Sequence, residues 1–273
     1  MIQKVISNIK LGLKGIFNNK YLRRKQKIFL YADYIKFLFL LFLVYFFKKS
    51  IHKVKINSFK YTVYFEKYIT FFYIFNEIFC KEVYIPIKIN SYYDLGANIG
   101  LTILWYKYFN PSLQVYAFEP DPKNYKYLQK NIKINQLTNI NTYPIALSDK
   151  KGKAKFFVIK DNIQNLDSGL TLNQKLPYKC IQINTDLLSK YITKKVDLLK
   201  IDIEGGEYKV FEDLFVKNKI KLFKEIIFEA HFFNKKERDI LKLLVTNLKK
   251  TGGIKKLENS QHTKVFSYQS FKN

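Results

Sequence analysis

The segment Asp94-Leu95-Gly96-Ala97-Asn98-Ile99-Gly100 constrains this chain more than any other. It follows the short apolar run Tyr92–Leu95 and precedes an apolar, helix-patterned stretch, Ile99–Phe109. A strand that turns tightly into a helix through glycines is the entrance to an α/β unit in which backbone can approach a ligand closely. The downstream pattern repeats the theme. Gln114–Phe118 reads as a strand, Lys123–Asn135 as a helix with Tyr125, Leu128 and Ile132 on one face, and Ile140–Ala146 as a strand. Val196–Ile203, Glu207–Lys217, Glu225–Ala230 and Lys235–Lys249 continue the alternation. Such alternation predicts a parallel sheet flanked by helices, with ligands at the carboxyl ends of the strands where their order reverses.

The turn selects among ligands. A dinucleotide fingerprint needs glycine at three positions, and here those positions hold Gly96, Asn98 and Leu101. A pyrophosphate cradle is therefore not expected. The second strand ends at Glu119, 19 residues after Gly100, where an acid can accept both hydroxyls of a ribose. Asp94 adds negative charge behind the turn. A ribose clamp, a cationic tail and no phosphate site describe S-adenosylmethionine. Taken singly, Asp94 and Glu119 could equally cap turns and helices.

The chain resembles the FkbM family of methyltransferases over roughly residues 60–232. The resemblance is carried by Asp94–Gly100, by Ala117-Phe118-Glu119-Pro120-Asp121-Pro122, and by Asn131 with Asn135. It continues through Ala146-Leu147-Ser148-Asp149, Thr185-Asp186-Leu187-Leu188, Lys200-Ile201-Asp202-Ile203-Glu204-Gly205-Gly206-Glu207 and Glu229-Ala230-His231. It implies a class I methyltransferase fold: a Rossmann-like, doubly wound, mostly parallel sheet of seven strands, the last antiparallel. It implies S-adenosylmethionine as cofactor, held by Asp94, Gly96, Asn98, Gly100, Glu119 and Asp121. It further implies methylation of a hydroxyl on a sugar, glycan or natural-product acceptor.

Methyl transfer to an alcohol needs an aligned nucleophile and a group that takes its proton. Strand alternation puts Lys200, Asp202 and Glu204 on one face at a carboxyl end. His231, one of three histidines, follows another strand whose end adjoins the same cleft. Asp202, Glu204 and His231 are the catalytic candidates. Capping by Glu204 and Glu207, and a satisfied strand-end histidine, are the plain alternatives. A metal site from Asp202, Glu229 and His231 is conceivable, but no local ligand spacing supports it, and none is expected. The polar stretch Lys160–Pro177 reads as a loop, either a substrate lid or a merely mobile segment.

The N-terminal region has no counterpart in the resemblance. Net charge is +26, and residues 1–60 hold 14 Lys/Arg against one acid, Asp33. Residues 2–17 read as a basic amphipathic helix, and Phe37–Phe47 is an uninterrupted apolar run of 11 residues closed by Lys48-Lys49. A run this short, behind Asp33 and Lys36, is poorly suited to span a bilayer. A buried helix and an interfacial one remain open, with an anionic membrane surface as candidate partner. The chain thus divides by expectation into a basic helical extension (1–53), a hairpin and helix lead-in (54–89, with Val54–Ile56 pairing Tyr61–Phe65) and a cofactor-binding domain (90–273). Two distant cysteines, Cys80 and Cys180, and no signal-peptide pattern make the cytoplasm the expected location, and an interfacial N-terminal helix would add attachment to the inner face of the membrane. Two rival functions are a nucleic-acid methyltransferase, favoured by charge, and a non-catalytic membrane-docked module that binds S-adenosylmethionine. The element Asp202-Ile203-Glu204-Gly205 stands where amino-methylating enzymes of this fold carry Asn/Asp-Pro-Pro-aromatic, so nucleic acid is not expected.

Overall fold

The computed structural model describes residues 2–81, 84–85, 87–159, 178–232, 235–259 and 263–271. The lid expected at Lys160–Pro177 lies outside them. Compactness does not follow chain order. One unit comprises Ile89–Ala97, Leu113–Tyr125 and Asn139–Asn273; the other comprises the chain through Lys88 with Asn98–Ser112 and Lys126–Thr138.

The strands of the first unit begin with β3 (Ser91–Leu95), β4 (Gln114–Phe118) and β5 (Ile140–Tyr143). They continue with β6 (Ala146–Leu147), β7 (Gly152–Ile159), β8 (Tyr178–Asp186), β9 (Val196–Ile201), β10 (Phe223–His231), β11 (Gly252–Asn259) and β12 (Thr263–Ser270). Seven of them form one sheet in the order β11-β12-β10-β9-β3-β4-β5. The pairs β10–β9, β9–β3, β3–β4 and β4–β5 are parallel, and β12 runs antiparallel to both neighbours. This is the sheet that the resemblance implies, with β12 as its antiparallel member. Chain order reverses between β3 and β9, so the switch point lies beside the glycine turn.

The expected strand Ile140–Ala146 is two strands. Pro144 lacks an N–H and interrupts the ladder, and β6 joins β8 and β7 in a separate three-stranded sheet. Helices α6 (Glu207–Val216) and α7 (Lys235–Lys249) bury Val210, Phe211, Leu214, Leu241, Leu244 and Leu248 in one apolar core with Leu199, Ile201, Phe228 and Tyr268 of the sheet. The apolar spacing of three and four in both helices supplies that face.

The other unit holds α1 (Ile2–Asn18), α2 (Arg24–Phe46), the hairpin β1 (Lys53–Ile56) and β2 (Tyr61–Tyr64), and α3 (Tyr68–Phe75) followed by a π turn, Asn76–Cys80. Helix α4 (Leu101–Phe109) and the part of α5 (Pro122–Ile134) from Lys126 onward belong to it as well. Its core is aromatic: Phe37, Phe59, Phe71, Phe75 and Phe79 pack ring to ring, with Trp105 against Phe59 and Phe79. The edge of β2 is closed by two side-chain amides. Asn131 Oδ1 accepts from Tyr64 N at 2.7 Å while its Nδ2 donates to Tyr64 O and Ile99 O. Asn135 treats Thr62 N and O in the same way, at 2.8 Å each. The two asparagines of the family pattern thus stand in for a neighbouring strand.

Candidate functional site

The carboxyl ends of β3, β4, β9 and β10 gather the acidic residues. The turn after β3 is tied to both neighbours: Gly96 N and Ala97 N donate to Phe118 O, and Asp202 N donates to Leu95 O. Gly96 has φ +77°, and a Cβ built on it would stand 1.8 Å from the Asp202 carbonyl oxygen. Its glycine is demanded by the end of β9 as well as by backbone conformation. Asn98 and Gly100 belong to the other unit. There Asn98, at φ 50°, accepts from Ile99 N through its Oδ1, and Gly100, at φ 89°, stands at the N-cap of α4.

Asp94 is fully buried, and its charge is met by Lys200. Lys200 Nζ lies 3.3 Å from Asp94 Oδ1 and 3.4 Å from Asp202 Oδ2, and donates to Gly96 O at 3.0 Å. Burial alone would lower the ammonium pKa, but Asp94 and Asp202 outweigh it and hold it above its ordinary value. Lys200 is thus a fixed cation under the turn.

Glu119, at the end of β4, is buried, and its Oε1 accepts from Asp121 N at 2.8 Å. Asp121 Oδ1 in turn accepts from Lys123 N at 2.8 Å and Asn124 N at 3.3 Å, with Pro122 opening α5. Asp121 therefore caps that helix, whatever else it holds.

The second cluster centres on His231. Strand β9 ends at Ile201, so alternation stops at Asp202, and Glu204 sits in the following turn with φ 52°. That turn brings Glu204 Oε2 to 3.1 Å from His231 Nε2. On the opposite side Glu207 Oε1 lies 2.8 Å from His231 Nδ1, and the Glu207 carboxylate accepts from Gly205 N and Ile203 N. Glu229 Oε1 is 3.7 Å from His231 Nε2. Burial pulls the His231 pKa down, but Glu204, Glu207 and Glu229 together raise it well above the ordinary value. His231 is held as an imidazolium with carboxylates at both nitrogens. Burial, then the neighbouring Asp202 charge, pushes Glu229 up to about 7. Reading by residue type placed His231, Asp202 and Glu204 together. It passed over Lys200 as the counter-ion, Glu207 as the clamp and Glu229 as the carboxyl group that titrates near neutrality. The signal for Glu229 was its two-residue spacing from His231 on one strand, which puts both on one face.

Asp202, Glu229 and His231 offer ligand atoms within 4.8 Å of one another, a spacing that could hold a metal ion. His231 Nε2 already faces Glu204, so a metal there would displace a contact and a proton.

The family model described as the methyltransferase FkbM domain matches residues 94–264. Methyltransferase 1 of Beauveria bassiana is 27% identical over 165 residues, covering 52% of this chain and 66% of that protein. Methyltransferase sdnD of Sordaria araneosa is 27% identical over 175 residues, covering 51% and 67%. A crystal structure of methyltransferase FkbM from Methylobacillus flagellatus KT superimposes with a TM-score of 0.49 at 14% identity, covering 97% of this chain and 59% of that one. The chain thus spans about two thirds of the length of these curated relatives.

Proposed function

The chain belongs to the FkbM methyltransferase family, and on that premise we propose that it methylates a hydroxyl oxygen of a sugar, glycan or natural-product acceptor, using S-adenosylmethionine. The observation that carries this reading is the cluster of two carboxyl groups and an imidazole, Asp202, Glu229 and His231, gathered beside the glycine turn at the switch point of the sheet.

The donor set suits a cationic nucleoside. The turn from Asp94 to Gly100 contains no lysine or arginine for a pyrophosphate, and Glu119 is held at the end of the adjacent strand, where a ribose would lie. When bound, S-adenosylmethionine supplies a methyl group already activated on a sulfonium. Glu119 would hold the ribose, and the partly exposed Asp202 would attract the cationic end. Glu229 takes the acceptor's hydroxyl proton, because its pKa lies near neutrality while His231 has no nitrogen left to accept one. His231 offsets the negative charge of Glu204 and Glu207 and keeps Glu229 in place. No step of this scheme needs a metal. The two free cysteines, one buried and one exposed, fit a reducing cytoplasm.

The test is titration calorimetry with S-adenosylmethionine, followed by labelled methyl transfer into a cell extract. Heat of binding and label in an alkali-stable ether on glycan or small-molecule material are the expected results. Asp202→Asn and Glu229→Gln should each lower transfer by about a hundredfold. No heat, or label recovered in nucleic acid, would overturn the reading. Activity lost to a chelator and restored by a divalent cation would reassign the Asp202 cluster to a metal.

A further inference from the structure

The last part of α2 is an apolar feature that the proposed chemistry leaves unused. Leu30, Asp33, Tyr34 and Phe37 are the buried residues of this helix. From Leu38 to Phe47 no residue is buried, although every one is apolar or aromatic. Phe46 and Phe47 are 65% and 68% exposed. Phe39, Phe42 and Phe46 fall on one stripe at helical spacing, and the Phe42 and Phe46 rings lie 4.7 Å apart. Exposed Lys48, Lys49, Lys53 and Lys55 follow directly.

We propose that Leu38–Phe47 is a monotopic membrane anchor, lying in the headgroup–acyl boundary of an anionic bilayer with Lys48 and Lys49 on lipid phosphates. Two features decide the mode. Among the described residues α2 is the one helix long and apolar enough to cross a membrane. Crossing would require its first half to leave the fold. Asp33 there accepts from Ser58 N at 2.8 Å, Ser58 Oγ at 2.9 Å and Asn57 Nδ2 at 3.2 Å, and pairs with Lys36 at 3.0 Å. Lys36 Nζ also donates to Lys55 O at 2.6 Å. Those bonds pin the first half to the hairpin and leave ten residues, about 15 Å of helix, half-buried or exposed. End-on insertion would carry Lys48 and Lys49 into hydrocarbon, whereas side-on insertion lets them snorkel to phosphate.

Charge chooses the occupant. Residues 1–60 carry 14 cationic side chains and one acid, so a second copy would bring like charge to the same place, while an anionic lipid surface is complementary.

The test is flotation of the full chain with vesicles of phosphatidylcholine alone and of phosphatidylcholine mixed with phosphatidylglycerol. Binding to the mixed vesicles is expected. Phe39→Ser/Phe42→Ser/Phe46→Ser should weaken it at least about a hundredfold, and Lys48→Glu/Lys49→Glu at least about tenfold. These positions are outside the packed core, and circular dichroism of the variants checks that they fold. Phe42→Trp should be quenched by brominated acyl chains, while the buried Trp105 should not. Three results would each overturn the proposal: no binding to either vesicle; binding that the triple variant leaves unchanged; or a dimer in sedimentation that the triple variant abolishes.

Discussion

Lys200 stands between Asp94 and Asp202 because a buried carboxylate at the turn must be compensated. Replacing it with methionine removes the ammonium that meets buried Asp94, and urea unfolding should show a loss of about 3–5 kcal/mol. The titrating pair near it sets a pH dependence whose sign follows from the shifts. Glu229 is raised from 4.5 to about 7, so the native state keeps a proton that the unfolded chain has released. Its stabilising effect is full below about 4.5 and is lost as pH rises toward 7. Unfolding free energies measured across that window should fall with pH, and Glu229→Gln should flatten the fall. The raised His231 contributes stability that is full below 6.5 and lost only as pH rises through its own, higher native value. Methyl transfer should increase as pH passes about 7, where Glu229 becomes a base, and the rising limb should be absent in Glu229→Gln. At this scale residue types and spacing revealed the acids but not their protons. Which carboxyl group titrates near 7 depends on burial and on neighbours from β9, α6 and β10.

The elements were largely written in the periodicity. β4 and α7 have the expected bounds, and α4, α5, α6 and β10 differ by a few residues at their ends. What periodicity could not show is how polar groups are used between elements. Asp33 reads as an obstacle to membrane insertion; in the fold it binds the hairpin turn 25 residues away. Asn131 enters the sequence reading only as part of the resemblance; in the fold it completes the edge of β2. Asn131→Leu should therefore cost about 2–4 kcal/mol in chemical denaturation, because Tyr64 and Ile99 lose partners in a site where Asn131 is buried. Asn131→Asp keeps the acceptor for Tyr64 N but loses both donors and should not restore stability. Gly15 of α1 makes a similar point, since a Cβ there would meet the Cys80 carbonyl oxygen at 1.9 Å. Gly15→Val should detach α1 from the π turn, which limited proteolysis of the first 20 residues would register.

For the whole molecule, binding of the cofactor to the native state alone should stabilise it by about 2.7 kcal/mol at a hundred times its dissociation constant. Scanning fluorimetry should show that shift with S-adenosylmethionine, and a much smaller one for Glu119→Gln. The order of hydrophobic runs and glycine turns determined the seven-stranded sheet, its switch point and the residues that could carry chemistry there, because local period and turn propensity act within a few residues. The net charge and the apolar run after Lys36 likewise marked the N-terminal region as special from composition alone. Only the tertiary structure decided that Lys200 neutralises Asp94, that Glu204 and Glu207 clamp His231, and that the buried residues of α2 stop at Phe37. Each of those outcomes depends on groups brought together from distant points of the chain. Burial and Coulomb interaction, unlike periodicity, are set by neighbours in space.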